Sequence, residues 1–318
     1  MEVKLGHKIL CYLKEVDRIA LGNYQMPVTF EIDASNYCQN DCGFCMFAFH
    51  LKKNRVHLPM GLYYKALHSF KRMGVKSITF TGGGESLMNP NIRKMMQLAL
   101  YDNLRVGLVT NGILLHEIID LVPRLEYVRV SLDSATRETY KKVKGKDYFV
   151  KVCNNIMEAI DQGCVMGISF VVTEDNKHEI NEFHQLALHL GVDYAQIKPE
   201  LKVCDMEGQV DGIKGEKFFV TERYNINKES MLQCRIAGLI GILGATGKLY
   251  YCCVHRGKES FEIGDLAKDD LRNIFDLRRT FIPPINLCNT SCRYMNYAKI
   301  YEQVRDKKYI ALRHRKFL

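Results

Sequence analysis

Cys38, Cys42 and Cys45 fall within one stretch, Cys38-Gln39-Asn40-Asp41-Cys42-Gly43-Phe44-Cys45. Three thiolates this close along the chain can converge on one centre, and thiolates select iron–sulfur clusters or zinc. Structural zinc takes four ligands, usually from paired CxxC hooks, whereas this loop offers three. Three ligands leave one iron of a [4Fe–4S] cluster open to a substrate or cofactor. The bland alternative is three structural cysteines in a loop.

A second stretch able to do chemistry is Thr81-Gly82-Gly83-Gly84-Glu85. Its glycines let a ligand approach the backbone closely, and exposed carbonyls there can accept hydrogen bonds from an ammonium group. Glu85 would add charge to such a contact. Thr110-Asn111-Gly112 and Ser131-Leu132-Asp133 are further polar stretches that close apolar runs.

These stretches need elements to position them, and the hydrophobic pattern supplies them. Residues 4–20 carry Leu5, Ile9, Leu10, Leu13 and Val16 at helical spacing. Strands are expected at 27–33, 77–81, 104–109, 127–131, 165–172 and 193–198. Between them the pattern predicts helices over about 60–73, after Pro90, over 114–120, over 149–161 and around Ile180–Leu190. Six βα units in about 170 residues imply a parallel sheet with helices outside. Periodicity alone allows a partial (β/α)6 barrel of the TIM type or an open doubly wound sheet. Either puts a ligand site at the carboxyl ends of the strands, where the cysteine loop leaves the first strand. A polar, glycine-bearing stretch over 204–217 marks a boundary between a barrel (1–203) and a smaller C-terminal domain (204–318). In the latter, 236–243 and 248–254 read as a hairpin, followed by helices near 268–279 and from about 294.

Composition narrows the class. The chain has 318 residues, 47% hydrophobic and 25% charged, enough for one large α/β domain with an appendage. The longest apolar run, 238–245, is too short to cross a bilayer. The N-terminus mixes charges among its apolar residues and has no signal-peptide core. Twelve cysteines without an export signal point to metal binding in a reducing compartment, so the expectation is a cytoplasmic, oxygen-sensitive protein. Much of the net charge of +9 sits in the tail, where Lys299, Arg305, Lys307, Lys308, Arg313, Arg315 and Lys316 stand against only Glu302 and Asp306. A solvated helix face explains it, and no nucleic-acid motif accompanies the charge.

The CxxxCxxC run after a strand, followed one βα unit later by Gly82-Gly83-Gly84-Glu85, resembles the signature of the radical S-adenosylmethionine (SAM) superfamily. The resemblance favours the partial (β/α)6 barrel. It implies a [4Fe–4S] cluster on Cys38, Cys42 and Cys45 whose open iron chelates SAM. It implies that Gly82, Gly83, Gly84 and Glu85 hold the SAM amino group. Ser86 stands where the family has proline, which is expected to loosen the turn. Ser131 would contact the SAM ribose or carboxylate, and Asn111 and Gly112 would shape the pocket wall. Phe44 would lie near the adenine and Ile197 on its other side, with core packing as the alternative for Ile197. For Asp133, a helix N-cap stands beside substrate contact.

Cys234, Cys252, Cys288 and Cys292, with the Gly247-x4-Cys252 element, resemble the SPASM and twitch auxiliary-cluster domains. The resemblance implies one auxiliary [4Fe–4S] cluster, and structural zinc is the alternative. The last ligand is the least regular, because Cys288-x3-Cys292 replaces a CxxC. Adjacent residues on a strand point to opposite faces, so with Cys252 as a ligand Cys253 is expected to face the barrel mouth as a thiol that binds no cluster; a small buried hydrophobe is the alternative.

The implied activity is reductive cleavage of SAM to a 5′-deoxyadenosyl radical that abstracts a substrate hydrogen, with a flavodoxin- or ferredoxin-type electron donor. An epimerase would use Cys253 to return hydrogen to the opposite face. A dehydrogenase would pass the radical's electron to the auxiliary cluster. The short stretch ahead of the first strand leaves little room for a peptide-recognition domain. The expected substrate is therefore a small sugar or aminocyclitol, with a peptide and its epimerisation or maturation as the alternative. A non-catalytic metal-cluster protein binding RNA is the reading from another class.

Overall fold

The computed structural model describes residues 11–20, 27–53, 55–200, 218–220, 234, 236–277, 297–298 and 301. β1 (Thr29–Asp33) shows why the strands form. Phe30 and Ile32 are fully buried, while Thr29 and Glu31 alternate with them on the other face. The same alternation runs through β2 (Ser77–Thr81), β4 (Tyr127–Ser131) and β6 (Tyr194–Pro199). β3 (Arg105–Thr110) and β5 (Met166–Val172) are buried more continuously.

Strand order decides the architecture that periodicity left open. β1 to β6 lie in chain order, each parallel to the next. A doubly wound sheet reverses direction at a switch point, and none occurs between β1 and β6. Right-handed crossovers that always step the same way leave every helix on one face. The core agrees with this. Phe30, Phe80, Leu108, Val130 and Phe170 share one hydrophobic cluster with Tyr63 and Phe70 of α3 (Met60–Met73), Met95 of α4 (Ile92–Tyr101), Ile156 of α6 (Phe149–Asp161) and Phe183 of α7 (Ile180–Leu190). Burying each such side chain stabilises by roughly 1.5–3 kcal/mol. The opposite face carries Glu31, Thr79, Arg129, Ser131, Ser169, Gln196 and Lys198, so the concave interior is polar.

The sheet continues past the six units and stays open. β7 (Phe218–Val220) extends one edge beside β6. At the other edge β8 (Ile240–Leu243) runs parallel to β1, and β9 (Lys248–Tyr250) and β10 (Glu262–Asp265) follow antiparallel, which gives ten strands among the described residues. The expected hairpin is therefore present, and its turn contains Gly247 at φ 84°. It is joined edge-on to β1, so one sheet carries both the cysteine loop and the Cys252 segment. α8 (Leu271–Leu277) closes over α3, with Phe275 edge-on to Phe30 at 5.6 Å.

The remaining elements differ from expectation in detail. The helix expected over 114–120 is a 3-10 turn at Leu115–Ile118. α1 (Leu13–Ala20) is the described part of the helix expected from residue 4, and α2 (Ala48–Lys53) follows the cysteine loop. Neither α2 nor α5 (Arg137–Lys144) was expected. The boundary stretch 204–217 and most of the last helix lie outside the described residues, although Tyr297, Ala298 and Tyr301 are helical.

Candidate active site

β1 delivers the chain to the carboxyl edge of the sheet, and the following loop is pinned from several sides. The Ala34 carbonyl accepts from Leu58 N (2.9 Å) and from Asn89 Nδ2 (2.7 Å). The Tyr37 carbonyl accepts from Glu85 N at 2.7 Å, and Asp41 N donates to the Lys144 carbonyl at 2.9 Å. Cys45 N donates to the Cys42 carbonyl at 3.1 Å, which turns the chain between the last two cysteines. Burial pushes the Cys38 thiol up to about 11, with the charge of Glu85 adding to it. Burial also raises Cys42 and Cys45, against the opposing charge of Lys144.

The three thiols form one electrostatic group, since Cys42 acts on Cys38 and Cys45 acts on Cys42. Among the described residues no three His, Cys, Asp or Glu side chains close on a single metal ion. A zinc ion needs thiolates gathered about one point, at about 2.3 Å each. A cubane cluster instead presents separate iron corners, one per thiolate. Three partly buried cysteines from one loop, with a cation behind them, fit a [4Fe–4S] group as ligands.

The glycine turn after β2 packs directly on this loop. A Cβ at Gly84 would collide with the Tyr37 carbonyl, and one at Gly82 would come within 2.6 Å of Gly84 O. The Gly83 amide favours the charged form of the Asp33 carboxyl at the end of β1. Glu85 does something different from what its spacing suggests. Its side chain is buried, Oε1 accepts from Thr110 Oγ1 (2.8 Å) and Leu87 N (3.0 Å), and Oε2 accepts from Asn111 N (2.6 Å). The carboxylate thus ties the end of β2 to the end of β3. Ser86 corrects the expectation of a loose turn, because its hydroxyl donates to the Thr81 carbonyl at 2.8 Å.

Asn111 reaches the cysteine loop. Its Nδ2 donates to Gln39 Oε1 at 3.0 Å and lies 3.8 Å from Cys38 Sγ, while Oδ1 accepts from Ile113 N at 3.0 Å. Ser131 ends β4 on the concave face, with Ser169 Oγ 3.5 Å from its own hydroxyl. Ile197 is a correction. It pairs with Phe170, 1% exposed in the same core cluster as Phe183, on the helix-facing side of β6. It packs in the core instead of lining the concave face.

One charged residue escaped the sequence reading, and another has a role different from either one expected of it. Asp133 is neither an N-cap nor open to a substrate. It is 1% exposed at φ 59°, its Oδ1 accepts from Val171 N at 2.7 Å, and its Oδ2 accepts from Lys144 Nζ. Lys144 is 2% exposed, with its ammonium 5.6 Å from the centre of the Phe44 ring. Burial alone would lower its pKa, but the charges of Asp133 and Cys42 hold it above the ordinary value. Thr136 as N-cap of α5 (Oγ1 accepting from Thr139 N) and Gly145 at φ 70° were the signals that could have found the helix.

Near the concave face, Arg256 is bound to both Glu31 and Asp33 of β1, lies 5.2 Å over Phe47, and donates from Nε to the Cys253 carbonyl at 2.8 Å. Burial pushes the Asp33 carboxyl up to about 6, against the charge of Arg256. Cys253 is buried with Ile242 and Tyr250, and Ile242 pairs with Glu31 on the concave side. Cys252 packs instead with Ala237, Tyr251, Phe261 and Cys234. β9 ends at Tyr250, so strand alternation does not separate the two cysteines; a bend does, and their thiols still share a hydrogen bond. Cys234 and Cys252 interact, whereas Cys288 and Cys292 lie outside the described residues.

Comparison with known proteins gives a match at the level of a domain. Residues 32–187 match the Radical SAM superfamily. This chain carries a radical SAM domain. The superfamily uses a [4Fe–4S] cluster and SAM, and the three-cysteine loop fits that pair. A probable GTP 3′,8-cyclase of Saccharolobus islandicus is 32% identical over 167 residues, 51% of this chain and 53% of the relative. One of Sulfurisphaera tokodaii is 26% identical over 181 residues, 56% of each. The chain thus spans about half the length of the curated relatives it matches. Among solved structures, Streptococcus suis SuiB bound to precursor peptide SuiA gives a TM-score of 0.69 at 16% identity, covering 94% of this chain and 80% of SuiB. The structure of anSMEcpe with bound AdoMet and the Cp18Cys peptide gives 0.63 at 15%, covering 88% and 96%. At these identities the likeness concerns the radical SAM fold. No helix among the described residues is long and apolar enough to cross a membrane.

Proposed function

We propose that this radical SAM enzyme abstracts a hydrogen atom from a polar substrate held in the concave face, and that Cys253 returns one to the opposite side, giving epimerisation. When bound, the cluster and SAM supply a 5′-deoxyadenosyl radical as the abstracting species. The chain does the rest. Cys38, Cys42 and Cys45 ligate the cluster, the Gly82–Gly84 backbone receives the SAM amino group, and Ser131 meets its ribose or carboxylate. Asn111 steadies Cys38 and the loop beside it, and Phe44 flanks the adenine. Thr79, Arg129, Gln196 and Lys198 offer hydrogen bonds to a sugar or aminocyclitol.

The observation that carries the reading is the Cys253 environment. The residue packs on Ile242 and Tyr250, next to Glu31 on the concave side, with its carbonyl held by Arg256. In the step itself the S–H bond breaks and a substrate C–H bond forms. The sulfur radical left behind takes one electron and one proton from the reducing system to reset. An auxiliary cluster on Cys234, Cys252, Cys288 and Cys292, in a twitch-like segment, would relay that electron from a flavodoxin- or ferredoxin-type donor in the cytoplasm. A second reading draws on the printed names of the relatives: the substrate is a peptide, as with SuiB and anSMEcpe, or a nucleotide, as with the GTP cyclases.

Turnover in deuterated water tests the reading. An epimerase working through an exchangeable thiol places one solvent deuterium in a product of otherwise unchanged formula. A product two hydrogens lighter and without label would make the enzyme a dehydrogenase instead. Cys253→Ala should keep forming 5′-deoxyadenosine while inversion is lost, and full inversion in that variant would sink the thiol's role.

A further inference from the structure

Lys144 meets the cysteine loop twice. Its backbone carbonyl accepts from Asp41 N at 2.9 Å, and its ammonium lies 5.6 Å from the Phe44 ring centre, both residues belonging to the loop. A Cβ at Gly145, the next residue, would come within 3.0 Å of the Asp41 carbonyl, so the end of α5 is in direct contact with the loop. The counter-ion is equally fixed. Asp133 receives Lys144 Nζ and Val171 N on its carboxylate, and its carbonyl accepts from Asn176 Nδ2 at 2.9 Å.

Burying an ion pair costs several kcal/mol per ion, and a well-packed apolar pair is often no less stable. Packing alone therefore gives this pair no reason to be ionic. A thiolate-bound iron–sulfur cluster responds to such charges, since its reduction potential follows nearby charge, hydrogen bonds to sulfur and exposure. The pair is also polarised. The Lys144 ammonium stands 5.6 Å from the ring of Phe44, which lies between Cys42 and Cys45 in the chain, whereas the Asp133 carboxylate also accepts from Val171 N of β5. The cationic end faces the loop.

We propose that the buried Lys144–Asp133 pair is a positioning device that presents a fixed positive charge to the Cys38–Cys45 loop and raises the reduction potential of the cluster bound there. A cation stabilises the reduced, more negative form of the cluster more than the oxidised form. The pair thereby eases the electron uptake that must precede SAM cleavage. Lys144 and Asp133 touch neither substrate nor reacting atoms in this account; they act through the loop.

The test is an EPR-monitored redox titration of the full chain, reconstituted anaerobically, following the signal that changes when SAM is added. Iron content and circular dichroism are measured alongside. Asp133→Asn leaves the cation unopposed and should move the midpoint to more positive values. Lys144→Arg keeps the charge and should stay near wild type. The double variant Asp133→Asn/Lys144→Met, which buries no charge, should fall modestly below wild type, and Lys144→Met alone should fall lowest. If Lys144→Met does not take up iron, the order of Asp133→Asn, wild type and the double variant decides. Coincident midpoints for those three, or a negative move in Asp133→Asn, would overturn the proposal. A purely structural pair would lower iron content without shifts of opposite sign.

Discussion

Glu85 shows what a single residue contributes here. Its spacing after three glycines suggests a charge offered to a ligand, yet its oxygens take three donors from Thr110, Asn111 and Leu87. Glu85→Gln replaces one acceptor by an amide donor facing a backbone N–H. A buried hydrogen bond lost in this way costs about 1–3 kcal/mol, so urea denaturation should show a loss of that order. An unchanged midpoint would mean that the carboxylate does not hold the turn. The cysteine loop could be singled out from residue type and spacing, because soft thiolates in one loop have few other uses, whereas Asn111 came only with the family resemblance. The packing of Ile197 was legible too, since Gln196 and Lys198 alternate with Ala195 and Ile197 along β6 and put the apolar pair on the helix side; the family resemblance pulled the reading the other way. Lys144, and the pairing of Asp133 with it, were hidden for another reason: their significance is a contact between segments some hundred residues from the loop's own strand.

At the scale of elements, two junctions carry the site. The first is α5 against the cysteine loop. Gly145 sits at φ 70° and touches Asp41. Gly145→Ala should cost about 1–2 kcal/mol for the left-handed backbone alone and lower iron uptake through the displaced loop, as counted after reconstitution. α5 escaped prediction because Arg137–Lys144 is charged along most of its length, which masks an apolar stripe of only Tyr140 and Val143. The longer helices, α3 and α6, were legible to the residue because their apolar spacing persists over several turns. The second junction is Arg256 between β1 and the Cys253 segment. Arg256→Met would leave Glu31 and Asp33 as unpaired buried charges, a loss of about 3–5 kcal/mol. The sign of its pH dependence follows from Asp33. A carboxyl raised to about 6 in the folded protein contributes stability below its ordinary range and loses it as pH rises through 6. The Arg256→Met penalty should therefore be larger at pH 8 than at pH 5, and a penalty independent of pH would show that Asp33 does not titrate there.

Across the described residues the molecule is an open sheet whose outer face is packed by helices and whose inner face is polar. The βα repeat was legible from alternating periodicity, but the choice of a barrel-like sheet needed the strand order, which no local pattern encodes. The same holds for β8, which returns to pair with β1 after a separation of about 200 residues. That return puts Cys253 and Arg256 beside the strand that carries the cysteine loop. The central claim is that Cys38, Cys42 and Cys45 hold a cluster able to cleave SAM. Its most direct test is 5′-deoxyadenosine formation by the anaerobically reconstituted, reduced protein beside the Cys38→Ala/Cys42→Ala/Cys45→Ala variant. The account predicts equal amounts of 5′-deoxyadenosine and methionine from the wild type, and none from the variant. Cleavage surviving in the triple variant, or absent from a wild type fully loaded with iron, would contradict it.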